Sequence, residues 1–278
     1  MRHASHSAIN SYTRCGKAYE LEKIKNYPTT PAWYLIGGSA VHKITEYIDL
    51  EVFSPFELEE LARTTLATEM AKALEIQPEM ELWLAGGWGK NQQRYDYWND
   101  KVVEYAWQWY EQEWTVDGDL HFVELDVSMV LPSGIEVKGY VDRVKIYHGE
   151  DVGFIEVTDL KTGSTRPDSD QQLGMYSVLT TEWLKRNTEL YLPRYLVQAS
   201  NYMFKDNEYY DVPVSRWNLE TLDKMAQSWY SGVSNEVFLP VRGKGCERCS
   251  VRDACYLQSG DTDTTREFDS LNPFYIGV

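Results

Sequence analysis

The sequence predicts an α/β fold in which a mixed central β-sheet is flanked by helices. Three observations carry that reading. Apolar residues recur at helical spacing through most of the chain up to Trp114, and from His121 the pattern changes to the two-residue period of strands. A strand–helix–strand step from Gly153 to Phe204 then calls for a parallel pair joined by a right-handed crossover.

Taken in order, a first helix is expected from Ser7, a suitable N-cap, to about Ile24, with Ile9, Tyr12, Tyr19 and Leu21 close to one stripe. Pro28 and Pro31 mark a loop. Gly37 and Gly38 are read as preceding a second helix, capped by Ser39 and running to about Leu50. Ser54-Pro55 opens a third, with proline at its first position, which continues to about Leu74. Gly86 to Gly89 reads as a loop and Gln92 to Trp114 as a long helix. Strands follow at His121–Leu131, Ile135–Tyr147 and Gly153–Lys161, separated by turns at Pro132-Ser133-Gly134 and His148–Val152. A helix over Ser169–Arg186, a strand over Tyr195–Phe204, a pairing segment at Tyr209–Val214 and a helix over Leu219–Ser231 complete the pattern. The polar stretch after Gly260 reads as a loose arm.

The chain has 278 residues, 43% of them hydrophobic and 25% charged, which is ordinary for a globular protein with a sizeable core. No apolar run approaches the roughly 20 residues of a membrane helix, and the polar N-terminus has no signal core, so cytoplasm is the expected location. The net charge of −16 argues against coating of a duplex by phosphate neutralisation. It does not argue against an enzyme that meets DNA only in a metal-lined cleft. Ten Trp and 20 Tyr are mostly packing residues, with some available to stack on unpaired bases.

The chemistry concentrates in Gly139-Tyr140-Val141-Asp142-Arg143 and Thr158-Asp159-Leu160-Lys161-Thr162-Gly163. If the two strands form a hairpin turning near Glu150-Asp151, Asp142 lies opposite Asp159, and the two-residue period puts Asp159 and Lys161 on the same face as Asp142. Adjacent carboxylates repel unless a cation sits between them. Mg²⁺ and Mn²⁺ suit such oxygen ligands and can lower the pKa of a water that attacks a phosphate, with Lys161 orienting that water or neutralising charge. The bland alternative is a surface ion pair; the Thr-Gly that follows and the G-Y-V-D-R at hairpin distance favour the site. His42 and Glu46 share a helix face, and His42 is either a further ligand or a partly buried helix-start histidine. Gln172 and Tyr176, four apart on the helix after the site strand, either hydrogen-bond the scissile phosphate or the lysine, or simply belong to an amphipathic face.

The four cysteines, Cys15, Cys246, Cys249 and Cys255, read as one distant residue plus C-x₂-C-x₅-C. In a cytosolic chain metal binding is a better expectation than disulfides, and four thiolates suit Zn²⁺ or an iron–sulfur cluster. The one-plus-three split is less typical of zinc and suits a cubane, which would staple the first helix to the C-terminal segment. Arg242, Lys244, Arg248 and Arg252 surround these cysteines, either as a solvated basic loop or as a DNA-backbone contact.

Together these features resemble the RecB-like branch of the PD-(D/E)XK nucleases in its iron–sulfur form, which includes CRISPR-associated four-cysteine exonucleases, AddB-type nuclease domains and stand-alone phage relatives. Ser7 to Tyr12 with Cys15 and Tyr19 is similar to the family's N-terminal signature, and Gly38 to His42 with Glu46 to its histidine motif. Glu124, Gly139–Arg143 and Asp159–Gly163 look like its metal motifs, Gln172–Tyr176 its Q-x-x-x-Y motif, and Cys246, Cys249 and Cys255 its closing triad. The resemblance implies a restriction-endonuclease-like αβββαβ core in a single nuclease domain over 1–278. Within it, 121–205 would be the sheet core, 53–114 a helical insertion, and 7–24 with 240–258 a cluster-binding clasp. It further implies His42, Asp142, Asp159 and the Leu160 carbonyl as metal ligands, Lys161 as catalytic, Gln172 and Tyr176 as substrate-positioning, and a 4Fe–4S cluster on the four cysteines beside Mg²⁺ or Mn²⁺. The implied activity is DNA exonuclease, acting on single strands or duplex ends, with roles in recombination, repair or phage DNA processing. Recombination or CRISPR-type proteins are the implied partners, and a host cytoplasm is the implied setting if a phage encodes the chain. The rival expectation is a non-catalytic iron–sulfur protein that docks DNA or a recombination partner.

Overall fold

A computed structural model describes residues 3–50, 55–87, 92–112, 120–150, 152–187 and 194–255. It is an α/β structure built on a five-stranded mixed sheet. The elements are α1 (His6–Arg14), α2 (Gly16–Tyr19), α3 (Trp33–Asp49), α4 (Leu58–Ile76), α5 (Tyr95–Glu111), β1 (Leu120–Asp126), β2 (Met129–Val130), β3 (Glu136–Val137), β4 (Tyr140–Tyr147), β5 (Gly153–Lys161), α6 (Gln171–Arg186), β6 (Tyr195–Met203), β7 (Glu208–Asp211) and α7 (Leu219–Ser234). The strand order is β1-β4-β5-β6-β7. Only the β5–β6 pair is parallel, and α6 supplies the crossover that the sequence predicts.

Alternation along the strands sorts residues onto two faces. One face carries Val144, Ile146, Ile155, Val157 and Ala199, which are buried in a core with Ile9 of α1, Leu173 and Leu179 of α6, and Leu222 and Trp229 of α7. The other carries Leu160, Tyr202 and Phe204, which join a second core formed by α3, α4 and α5 around Trp33, Trp98 and Trp109. Ala18, Leu21, Val251 and Ala254 make a third small cluster between the N- and C-terminal segments, with Cys15, Cys249 and Cys255 against it. Among the described residues no helix is long and apolar enough to cross a membrane.

Several boundaries depart from the sequence pattern for identifiable reasons. The first helix is capped by Ser5 rather than Ser7, its hydroxyl accepting from the Ala8 N–H at 3.1 Å. It breaks at Cys15, whose backbone is extended (φ −163°, ψ 105°), restarts as α2, and ends in a π-helical turn over Glu20–Ile24. Helix α3 begins at Trp33 rather than Ser39, with Gly37 and Gly38 inside it. A β-carbon on Gly37 would lie 2.0 Å from the Trp98 ring, so glycine serves close helix–helix approach there. The two long strands expected at 121–131 and 135–147 are each split, giving the separate β2–β3 ribbon. Ala4 pairs with this ribbon, its N–H donating to Glu136 O and its carbonyl accepting from the Lys138 N–H, both at 2.8 Å. Ser54, Trp88, Gly89, Trp114, Asp151, residues 256–258 of the expected clasp and the tail after Gly260 lie outside the described residues.

Candidate active site

The site forms where the apolar face of the central strands ends in charge. In β4 and β5 the register runs to Arg143 opposite Thr158. One further step sets Asp142 and Asp159 side by side on the face that carries Val144 and Val157. Both are buried, at 8% and 2% exposure. Helix α6 crosses above this face and α3 reaches its end, so two helices deliver side chains to the two aspartates.

From α6, Gln172 donates through Nε2 to Asp159 Oδ1 at 2.6 Å and accepts on Oε1 from Lys161 Nζ at 2.7 Å. Lys161 Nζ is also 2.5 Å from Asp159 Oδ2. Tyr176 OH lies 3.4 Å from Gln172 Nε2. From α3, His42 Nδ1 sits 3.5 Å from Asp142 Oδ1. Asp142 Oδ2 accepts the Leu160 N–H at 2.7 Å, while the Leu160 side chain enters the second core. Glu46, one turn beyond His42, pairs with Lys43 at 2.7 Å.

Glu124 completes the arrangement. Its backbone is left-handed (φ +51°), and the β1–β4 ladder pairs Val123 with Arg143 and Leu125 with Val141 but omits the Glu124–Asp142 step between them. Such a conformation is costly for a non-glycine residue and concentrates at functional positions. One ligand atom each from His42, Glu124 and Asp142 fall within 4.8 Å of one another. The sequence places Glu124 in a motif but not among the ligands, because strand alternation contains no signal for a left-handed residue. It also gives no sign of His6 at the start of α1, whose imidazole is brought down to about 4 by burial and by the nearby Lys161 charge.

The electrostatics are those of anionic groups held close together. Burial and the charge of Asp142 push the Asp159 carboxyl up to about 6, and Lys161 only partly offsets them. Burial would raise Asp142 too, but His42, the Leu160 N–H and Arg143 outweigh it and hold the group below its usual range. Burial, and then Asp142, raise Glu124. Burial would lower His42, but the charges of Asp142, Asp159 and Glu124 raise it. Burial likewise pushes the Tyr176 phenol upward. A divalent cation would relieve this repulsion, and the carboxylates of Asp142 and Glu124 with the His42 imidazole fit one as ligands, while Asp159 is held by Lys161 and Gln172. The site opens into a groove of about 500 Å³ between α3, α4 and the end of β5, lined by Leu35, His42, Glu124 and Lys161 among others.

The four cysteines come together elsewhere. Cys15, Cys246, Cys249 and Cys255 line one cavity with Val241 and Arg242, and none is disulfide-bonded. The break at Cys15 takes its thiol off the α1 stripe, and Cys15 Sγ accepts the Val241 N–H at 3.4 Å. Burial pushes the Cys249 thiol up, and neighbouring Cys255, Glu22 and Cys15 add to the effect. Four cysteines lining one cavity fit a thiolate-ligated metal centre, whose charge would favour their ionised form. Of the surrounding basic residues, Arg248 is turned inward to the Gly87 carbonyl, a structural contact rather than an open one.

The fold and the site together describe a nuclease. The chain belongs to the PD-(D/E)XK nuclease superfamily, whose model matches residues 3–256. The Gene 69 protein of Mycobacterium phage D29 is 28% identical over 268 residues, covering 90% of this chain and 94% of that protein. The Gene 69 protein of Mycobacterium phage L5 is 28% identical over 202 residues, covering 62% and 68%. Among solved structures, a Eubacterium rectale protein described as a candidate exonuclease superposes with a TM-score of 0.46 at 13% identity, over 89% of this chain and 86% of that one.

Proposed function

We propose that this nuclease is a Mg²⁺- or Mn²⁺-dependent DNA exonuclease that acts on single strands or duplex ends. One observation carries the reading. Two buried aspartates end an apolar strand ladder side by side; His42 and Glu124 lie in reach of the same cation as Asp142, and Lys161 is salt-bridged to Asp159. Asp142, Asp159, His42 and Glu124 hold the cation, with the Leu160 carbonyl a further ligand. The cation supplies a more acidic water and charge compensation at the phosphate. The Lys161 ammonium orients the attacking water and offsets the charge that develops on the phosphate, and Gln172 holds that ammonium through Oε1. Tyr176, kept protonated by burial, is placed to donate to a phosphate oxygen. The groove along α3 guides a strand toward the site, with Leu35 exposed on its wall. In the same reading Cys15, Cys246, Cys249 and Cys255 hold a 4Fe–4S cluster that staples the chain ends, and the protein serves recombination, repair or phage DNA processing with partner proteins of those pathways.

The test is digestion of end-labelled linear and circular DNA, single- and double-stranded, with Mn²⁺ and with chelator. Stepwise loss of nucleotides from linear single strands, abolished by chelator and by Asp159→Ala or Lys161→Ala, is expected. Undiminished cleavage in both variants, or no cleavage of any DNA by the wild type, refutes the assignment. A brown protein with broad absorbance near 400 nm supports iron–sulfur over zinc; a colourless protein containing zinc overturns it.

A further inference from the structure

Beyond its apolar packing, helix α3 makes two charged contacts with β4, and only one of them belongs to the site described above. His42 meets Asp142. Seven residues on, Asp49 forms a salt bridge with Arg143 in which each side chain is only 1% exposed. Seven residues are two helical turns, about 10 Å along one side of the helix. The two partners, however, are adjacent on β4, and adjacent strand residues point to opposite faces. The helix therefore engages two consecutive residues of one strand whose side chains leave it in different directions, and a slide or roll of α3 cannot preserve both contacts.

The Arg143–Asp49 pair is also tied to its surroundings. Arg143 Nη1 donates to the carbonyl of Asp142 itself at 2.6 Å, so the guanidinium holds the backbone of the residue that faces His42. The other Asp49 oxygen, Oδ1, accepts from Trp109 Nε1 at 2.7 Å, and the guanidinium lies 5.5 Å from the centre of that indole ring. This brings α5 into the same assembly. A buried ion pair seldom stabilises a fold more than apolar residues of equal volume, because desolvation of both charges offsets their attraction. What it adds is direction and distance.

We propose that Asp49 and Arg143 are positioning residues that set the spacing of His42 and Asp142, and so govern how tightly the site binds its cation. The inference rests on the metal-site reading above. Outer partners that orient metal ligands change affinity by about 10–100-fold when removed.

The test measures Mn²⁺ binding to the DNA-free protein by titration with electron paramagnetic resonance, alongside urea unfolding in chelator. The double variant Asp49→Leu/Arg143→Met removes both charges and keeps apolar volume. It is expected to unfold near the wild-type midpoint but to bind Mn²⁺ at least about tenfold more weakly. Asp49→Glu keeps the charge pair and lengthens one arm by a methylene. It is expected to stay folded, with Mn²⁺ affinity reduced, and it decides the matter if the double variant does not fold. A folded variant of either kind that binds Mn²⁺ within twofold of wild type overturns the tether, leaving the pair a purely structural one. A wild type that binds no Mn²⁺ overturns the metal-site reading itself, and the tether with it.

Discussion

Replacing Asp159 with asparagine should abolish cleavage and yet stabilise the metal-free protein. The carboxyl rises from an ordinary value of 3.8 to about 6, because it is buried beside Asp142. At about 1.4 kcal/mol per pKa unit, that rise amounts to roughly 3 kcal/mol of unfavourable interaction whenever Asp159 is ionised in the folded chain. The sign follows from linkage. A carboxyl raised in the folded state imposes no penalty below its unfolded value near 3.8, and imposes one that grows as pH rises through about 6. The amide oxygen of asparagine can still accept from Gln172 Nε2, and Lys161 keeps its bond to Gln172 Oε1. For a chain of this size each kcal/mol shifts the melting temperature by about 2–4 °C. Calorimetry in chelator should therefore place Asp159→Asn several degrees above wild type near pH 8, with the difference vanishing toward pH 4. Added Mn²⁺ should raise the wild-type melting temperature and leave the variant unmoved. A variant that melts below wild type at pH 8, or a difference that ignores pH, would refute the claim that the two carboxylates are held together against their repulsion.

Three other expectations follow from particular residues. His42→Ala should weaken Mn²⁺ binding at least about tenfold and flatten its pH dependence, since His42, raised by three nearby carboxylates, must shed a proton to ligate; isothermal titration at several pH values reads both effects. Gly37→Ala forces a β-carbon to within 2.0 Å of the buried Trp98 ring and should destabilise the fold by about 1–3 kcal/mol in urea unfolding, as overpacking does. Cys249→Ser, at a thiol inside the four-cysteine cavity, should remove the metal centre seen by absorbance and metal analysis and lower the melting temperature, while a variant that retains its full metal content would exclude this cysteine as a ligand.

Much of this protein is written in short-range pattern. The alternation of Gly153–Lys161 marks a strand, and a turn near residues 150–152 sets its partner, so the pairing of Asp142 with Asp159 and the shared face of Asp159 and Lys161 can be read without coordinates. Spacing by four on α6 likewise places Gln172 and Tyr176 side by side. Register and helical period are properties of the backbone, and a few residues suffice to declare them. The C-x₂-C-x₅-C spacing likewise marks Cys246, Cys249 and Cys255 as neighbours, and they line one cavity.

Other features exist only because distant segments meet. Glu124 enters the site through a left-handed backbone that no alternation pattern encodes, and His6 feels the Lys161 charge only because α1 packs on the sheet. The two glycines of α3 look like a helix boundary until Trp98 is seen pressing on Gly37. The break at Cys15 makes sense only with Val241 and the C-terminal cysteines beside it. By itself the sequence determined which neighbours along each element share a face, because covalent spacing and backbone geometry settle that. Only the tertiary structure decided which distant residues converge, and that α3 meets both Asp142 and Arg143 of β4, because such contacts depend on how whole elements pack against one another.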